Sequence, residues 1–174
     1  MAKPRKPKRR LVVERSSDND KRKLREPAPT AEARETLARR ARFECSGKHK
    51  LEPRAFGLEP APSDDDDTYC DGHAGFRPED MARTGRLLRR GLLAGLIGHN
   101  DKQGDPTLIW TVDDNGWVYE GRITTPSQAL YHAYPLLPSD AFAKIVIAHY
   151  AEWAYDEADA RVLSALQNAL DRYS

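Results

Sequence analysis

Thr107-Leu108-Ile109-Trp110-Thr111-Val112-Asp113-Asp114-Asn115-Gly116-Trp117-Val118-Tyr119-Glu120-Gly121-Arg122-Ile123 holds the strongest local signal in the chain. Two runs rich in β-branched and aromatic residues flank a polar turn that ends in Asn-Gly, the pattern of an antiparallel hairpin. The period of two puts Trp117, Tyr119, Gly121 and Ile123 on one face of the second strand. Val118, Glu120 and Arg122 fall on the other, the side less obviously bound for a core. Further on, Leu130-Tyr131-His132-Ala133-Tyr134 reads as a third strand stopped by Pro135, with His132 facing away from Tyr131.

Helices are predicted on either side of this sheet. Thr30 is an N-cap for a helix over residues 30–43, with Glu32 and Glu35 in its first turn. Pro78-Glu79-Asp80 opens a second, whose apolar stripe runs through Met81, Thr84, Leu87, Leu88, Leu92 and Leu96. Ser139 and Asp140 can cap a third, carrying Phe142, Ile145, Val146, His149 and Tyr150. A fourth, through Val162, Leu166 and Tyr173, begins near Asp156 if the chain breaks after Trp153, and two helices or a bend are expected here in place of one long rod. Residues 48–75 carry three prolines and the run Asp64 to Asp67, and read as a long loop. The expected class is α+β: a small antiparallel sheet of three or more strands packed against several helices.

The 174 residues suit one core, and the expected domain spans residues 30–174. The net charge of +1 conceals a division. Residues 1–25 hold 11 Lys or Arg against 3 Asp or Glu (+8), and residues 26–174 hold 17 against 24 (−7). Residues 1–29 read as a disordered basic arm, because so polar a segment buries too little to offset its ordering entropy. Its Lys3, Arg5, Lys6, Lys8, Arg9 and Arg10 suit phosphate, and Arg83, Arg86 and Arg90 on the second helix could track a nucleic-acid backbone. An outer arginine-bearing face of an amphipathic helix accounts for the latter three equally well. No apolar run is long enough to span a membrane and no signal-peptide core follows the basic start, so a cytoplasmic protein is expected.

Two chemistries suggest themselves. Cys45-x-x-x-His49 and Cys70-x-x-His73 could supply two thiolates and two imidazoles to a structural zinc, the only cofactor the residues bring to mind; a half-buried cysteine and ordinary loop histidines are the plainer reading. The second is distributed: His49 with Lys50, Glu120 with Arg122, and His132 with Tyr134. Brought together, these provide a base, an acid and cations for metal-independent RNA cleavage. Histidine suits either proton-transfer role because its ordinary pKa lies near 6.5.

The succession His49-Lys50, Cys70-Asp71, the Arg/Leu-rich helix ending Gly91-Leu92-Leu93, Trp110, Val118-Tyr119-Glu120-Gly121-Arg122 and Tyr131-His132-Ala133-Tyr134-Pro135-Leu136 resembles a group of small bacterial proteins over about residues 43–138. Helices followed by a small antiparallel sheet are also similar, at the level of architecture, to small ribonuclease toxins of the barnase, EndoU and colicin type. That likeness implies a toxin-like nuclease acting on RNA. The alternative is a non-catalytic module of accessory or antitoxin kind that associates with nucleic acid, a protein partner or a second copy of itself.

Overall fold

The computed structural model describes residues 22–62, 64 and 67–174. They form an α+β domain with five helices and a four-stranded sheet of order β1-β4-β3-β2. The strands are β1 (Arg42–Phe43), β2 (Leu108–Val112), β3 (Val118–Thr125) and β4 (Leu130–Pro135); the helices are α1 (Ala31–Arg40), α2 (Cys70–Ala74), α3 (Thr84–Leu93), α4 (Ala141–Glu157) and α5 (Ala160–Arg172). No helix of the described residues is long and apolar enough to cross a membrane.

The predicted hairpin is β2 and β3. Asp113 builds its turn, accepting the amide hydrogens of Asn115 and Trp117 on one carboxylate oxygen, and Gly116 turns the chain at φ 82°. β4 adds antiparallel to β3 as expected, but the sheet is mixed, because β1 runs parallel to β4 at its other edge. Only two residues of β1 pair, too few to show an alternating pattern in sequence.

Register sorts the side chains into two faces. Leu108, Trp110 and Val112 lie opposite Arg122, Glu120 and Val118, and Glu120 and Arg122 lie opposite Tyr134 and His132. This face receives α4, with the Trp110 and Phe142 rings 4.9 Å apart. Ile109, Thr111, Tyr119, Gly121 and Ala133 occupy the other face, which receives α3, where the Thr111 hydroxyl donates to the Leu87 carbonyl at 2.8 Å. The Val118–Glu120 side is therefore core, against the sequence expectation: both residues are fully buried and only Arg122 emerges. A sheet covered by helices on both sides leaves no open face for alternation to report.

Three boundaries move. The expected arm of residues 1–29 overlaps the domain, since Arg22 and Leu24 are buried in it. The Pro78 segment is a tighter 3-10 helix over Pro78–Arg83 before α3 begins. The break between the last two helices falls at Ala158, in the left-handed region at φ 52°, and Asp159 then caps α5 by accepting from Arg161 and Val162.

Candidate functional site

Trp110, Glu120 and Tyr134 form one row across β2, β3 and β4, and Arg122 and His132 lie in the next. At the centre is Glu120, fully buried. One of its carboxylate oxygens accepts Arg22 Nε at 2.7 Å and Trp110 Nε1 at 3.0 Å. The other accepts Arg122 Nη2 at 3.1 Å and the Tyr134 hydroxyl. Burial disfavours the charged carboxylate, yet Arg22, Tyr134, Trp110 and Arg122 together hold its pKa below the ordinary glutamate value. Arg22 in turn donates Nη1 and Nη2 to Asp140 at 3.2 and 2.9 Å, and Asp140 caps α4 through the Phe142 amide. Residues from the start of the described chain, the sheet and α4 are thus fastened at one carboxylate.

Tyr134 relays between the rows, accepting from Arg122 Nε at 2.7 Å while donating to Glu120. Burial and the Glu120 charge push its phenol up to about 12, which keeps it a donor near neutrality. Beside it, His132 shares a 2.7 Å hydrogen bond between Nδ1 and the Thr124 hydroxyl. His49 reaches this row from a 3-10 turn, Gly47–His49, whose cap is the Ser46 hydroxyl accepting from the Lys48 amide. Its ring lies parallel to that of His132, 5.2 Å between centroids and 8° between planes, and 4.8 Å from Tyr134. His49 is only 4% exposed, and neither ring nitrogen makes a hydrogen bond of good geometry among the described residues. Burial and the neighbouring His132 push its pKa down to about 4. Burial, Arg122 and Lys48 lower that of His132, so both imidazoles are neutral at pH 7.

Five of the six residues expected to carry catalysis therefore meet: His49, Glu120, Arg122, His132 and Tyr134. Lys50 does not join them. Its backbone is extended, at φ −125° and ψ 131°, so it projects away from its neighbour His49. It is buried on the α3 face, with Nζ 5.1 and 5.2 Å over the rings of Phe56 and Phe76.

Of the four residues considered for zinc, three have partners of their own. His49 faces His132, while His73 accepts the Tyr69 amide on Nδ1 at 2.9 Å and stacks on the Tyr69 ring. The Cys70 thiol is held up at about 11, chiefly by burial, and points at the Ala133 carbonyl 3.5 Å away; Cys45 is half-buried. Among the described residues no three His, Cys, Asp or Glu side chains gather as a metal site.

The arginines of the α3 region are engaged within the protein. Arg83 pairs with Asp80 at 3.2 Å and Arg86 with Asp114 at 3.1 Å. Arg90, expected on an outward face, is buried, binding Asp114 at 2.7 Å and the Val112 carbonyl at 2.8 Å, and so pins α3 to the hairpin turn. Lys3, Arg5, Lys6, Lys8, Arg9 and Arg10 lie outside the described residues. Of the Asp64 to Asp67 run, Asp64 and Asp67 are described, and they lie 3.7 and 3.8 Å from Lys48 Nζ.

Sequence reasoning missed Arg22. It sits in a basic run with Leu24 as its only apolar neighbour, and its partners Glu120 and Asp140 are 98 and 118 positions away. Asp140 was visible as a helix cap but not as an ion-pair partner. No protein-family model, curated protein or solved structure matches this chain, so the functional reading rests on its own residues.

Proposed function

We propose that the chain is a metal-independent ribonuclease in which His49 and His132 form the acid–base pair and Arg122 faces the phosphate. The observation that carries this reading is the convergence of two neutral imidazoles with a half-exposed guanidinium that is held by a buried carboxylate. In this reaction the substrate 2′-oxygen attacks phosphorus as His49 takes its proton. The bond from phosphorus to the 5′-oxygen breaks, and protonated His132 supplies a proton to the leaving oxygen. The products are a 2′,3′-cyclic phosphate and a 5′-hydroxyl end. Arg122, engaged through Nε and Nη2, offers its outer edge to the charge developing on phosphate. Glu120 and Tyr134 hold that guanidinium and serve as positioning residues.

A second reading, a non-catalytic nucleic-acid-associated module, is favoured by the burial of His49, which keeps its ring from a polymer hydroxyl in this conformation. Incubating the full chain with end-labelled RNA in excess EDTA separates the two. Cleavage to cyclic-phosphate ends is expected, with a rate maximum on the acid side of neutrality, between about 4 and the ordinary histidine value. His132→Ala is expected to lower the rate by about a hundredfold or more while leaving thermal unfolding in place. RNA that is bound but left intact by the wild type would decide for the second reading.

A further inference from the structure

On the α3 face, opposite His49, lies a cavity of about 40 Å³ lined largely by apolar groups, among them Phe76, Leu87, Leu88 and Ile109. On a scale of about 10 to 15 Å³ per water, it has room for three or so water-sized positions, about the length of a short carbon chain.

The polar side chains of its wall divide into two sets. Thr111 donates to the Leu87 carbonyl at 2.8 Å, Thr84 to the Met81 carbonyl at 2.9 Å, and the Cys70 thiol lies against the Ala133 carbonyl at 3.5 Å. Those three are committed. The other two are Tyr119, whose phenol oxygen is buried without a partner, and Lys50, 4% exposed, whose ammonium lies beside the Cys70 thiol but is in no ion pair among the described residues. Tyr119 is held a donor by burial, which raises its phenol well above the ordinary tyrosine value, and Lys50 brings N–H donors. The Lys50 ammonium has two phenyl rings beneath it, and cation–π contacts offset only part of the cost of removing such a charge from water. Among the described residues the wall sets no carboxylate against these donors.

We propose that this cavity binds a small aliphatic monocarboxylate, its carboxylate on Lys50 with Tyr119 as second donor and its hydrocarbon end against Leu87, Leu88 and Ile109. Size and polarity select the class. A phosphate or dicarboxylate brings more acceptor oxygens than two donors can satisfy in an apolar wall, and each unsatisfied one is costly. A monocarboxylate of two to four carbons makes the least polar demand and uses the apolar surface.

The test titrates the full chain with acetate, propionate, butyrate and the neutral isostere butyramide, following the methyl resonances of Leu87, Leu88 and Ile109. Butyrate is expected to shift those methyls, with affinity rising about fourfold per methylene from acetate to butyrate. Butyramide is expected to bind about tenfold more weakly or less. Lys50→Met should abolish the butyrate response. Tyr119→Phe, which removes one buried oxygen and no volume, should weaken it severalfold without lowering thermal stability, and decides the matter if Lys50→Met does not fold. Equal binding of butyramide and butyrate, a butyrate response unchanged in either variant, or no methyl shift in the wild type would each overturn the proposal.

Discussion

His49 and Lys50 are consecutive and equally buried, yet they enter two unlike environments on opposite faces of one sheet. On the His49 side, polarity is resolved by charge pairing: one carboxylate, Glu120, accepts from two arginines, a tyrosine and a tryptophan. On the Lys50 side it is resolved by aromatic faces and a cavity, with no carboxylate at the ammonium among the described residues. The first arrangement is rigid and interdependent, since each member holds another, and it gives two histidines a fixed neighbour. The second leaves donors in an apolar wall, which is how a small-molecule site is built. Adjacency in sequence thus says little about adjacency in chemistry once the backbone is extended.

The largest expected effect breaks the charged face. Glu120→Gln leaves Arg22 with Asp140 alone and removes the anion that organises Arg122 and Tyr134. Loss of one partner from a buried pair costs about 3 to 5 kcal/mol, to be read as a shift of the urea unfolding midpoint. Adding Arg22→Met should cost less than the sum of the single changes, because the uncompensated cation goes with it. An additive result would show that Arg22 and Glu120 do not act as a pair.

Next in size is the pH dependence of the same face. His49 has a folded pKa below its unfolded one, so the unfolded state binds the proton more readily. Its contribution to stability is complete above the unfolded value of 6.5 and is lost as pH falls toward about 4. A displacement of that size corresponds to roughly 3 kcal/mol at the acid end. Glu120 acts in a lower window: its depressed pKa gives stability that is present above the ordinary glutamate value and lost as pH falls through the folded one. Unfolding free energies measured from pH 7 to pH 4 should therefore fall more steeply for the wild type than for His49→Phe. Equal slopes would show that His49 is not held neutral by the fold.

Much of this arrangement was legible in the sequence, and the omissions have physical causes. The hairpin, β4 and the caps at Thr30 and Asp140 are local: a turn, an alternation or a side chain reaching one turn ahead decides each of them. The two-residue β1 has no local pattern, and its parallel pairing with β4 is a property of the assembled sheet. Alternation correctly divided Val118, Glu120 and Arg122 from Tyr119 and Gly121, but which face a helix covers depends on α4, a separate element. The site residues were legible as chemical types, and five of the six lie together in the folded chain. The pairing of Lys50 with His49 failed because an extended step sends neighbours to opposite sides. Of the arginine row, Arg90 is turned inward, and the sequence did not show it because an amphipathic helix with a basic flank reads alike whether it meets phosphate or, as Arg90 does, an aspartate and a carbonyl.

The smallest expected effect tests whether the two faces are independent. Gly91 lies where α3 crosses β2, and a Cβ built there would stand 2.1 Å from the Trp110 carbonyl oxygen and 3.1 Å from Thr111 Cβ. Alanine favours a helix interior over glycine by about 1 kcal/mol, but the contact is with strand backbone, which cannot turn aside as a side chain can. The helix must move, and overpacking of this kind costs about 1 to 3 kcal/mol, so Gly91→Ala should destabilise by up to about 2 kcal/mol net. Because Leu87 and Leu88 of α3 wall the Lys50 cavity, the displacement should also widen it and alter the methyl resonances there. On the other face the Trp110 indole, Glu120 and His49 face α4 and the 3-10 turn, not α3, so the loss of stability between pH 6.5 and 4 should keep its wild-type slope. A changed slope would mean that a shift of α3 reaches the histidines through the backbone of β2 and β3, and the two faces would then have to be treated as one coupled unit.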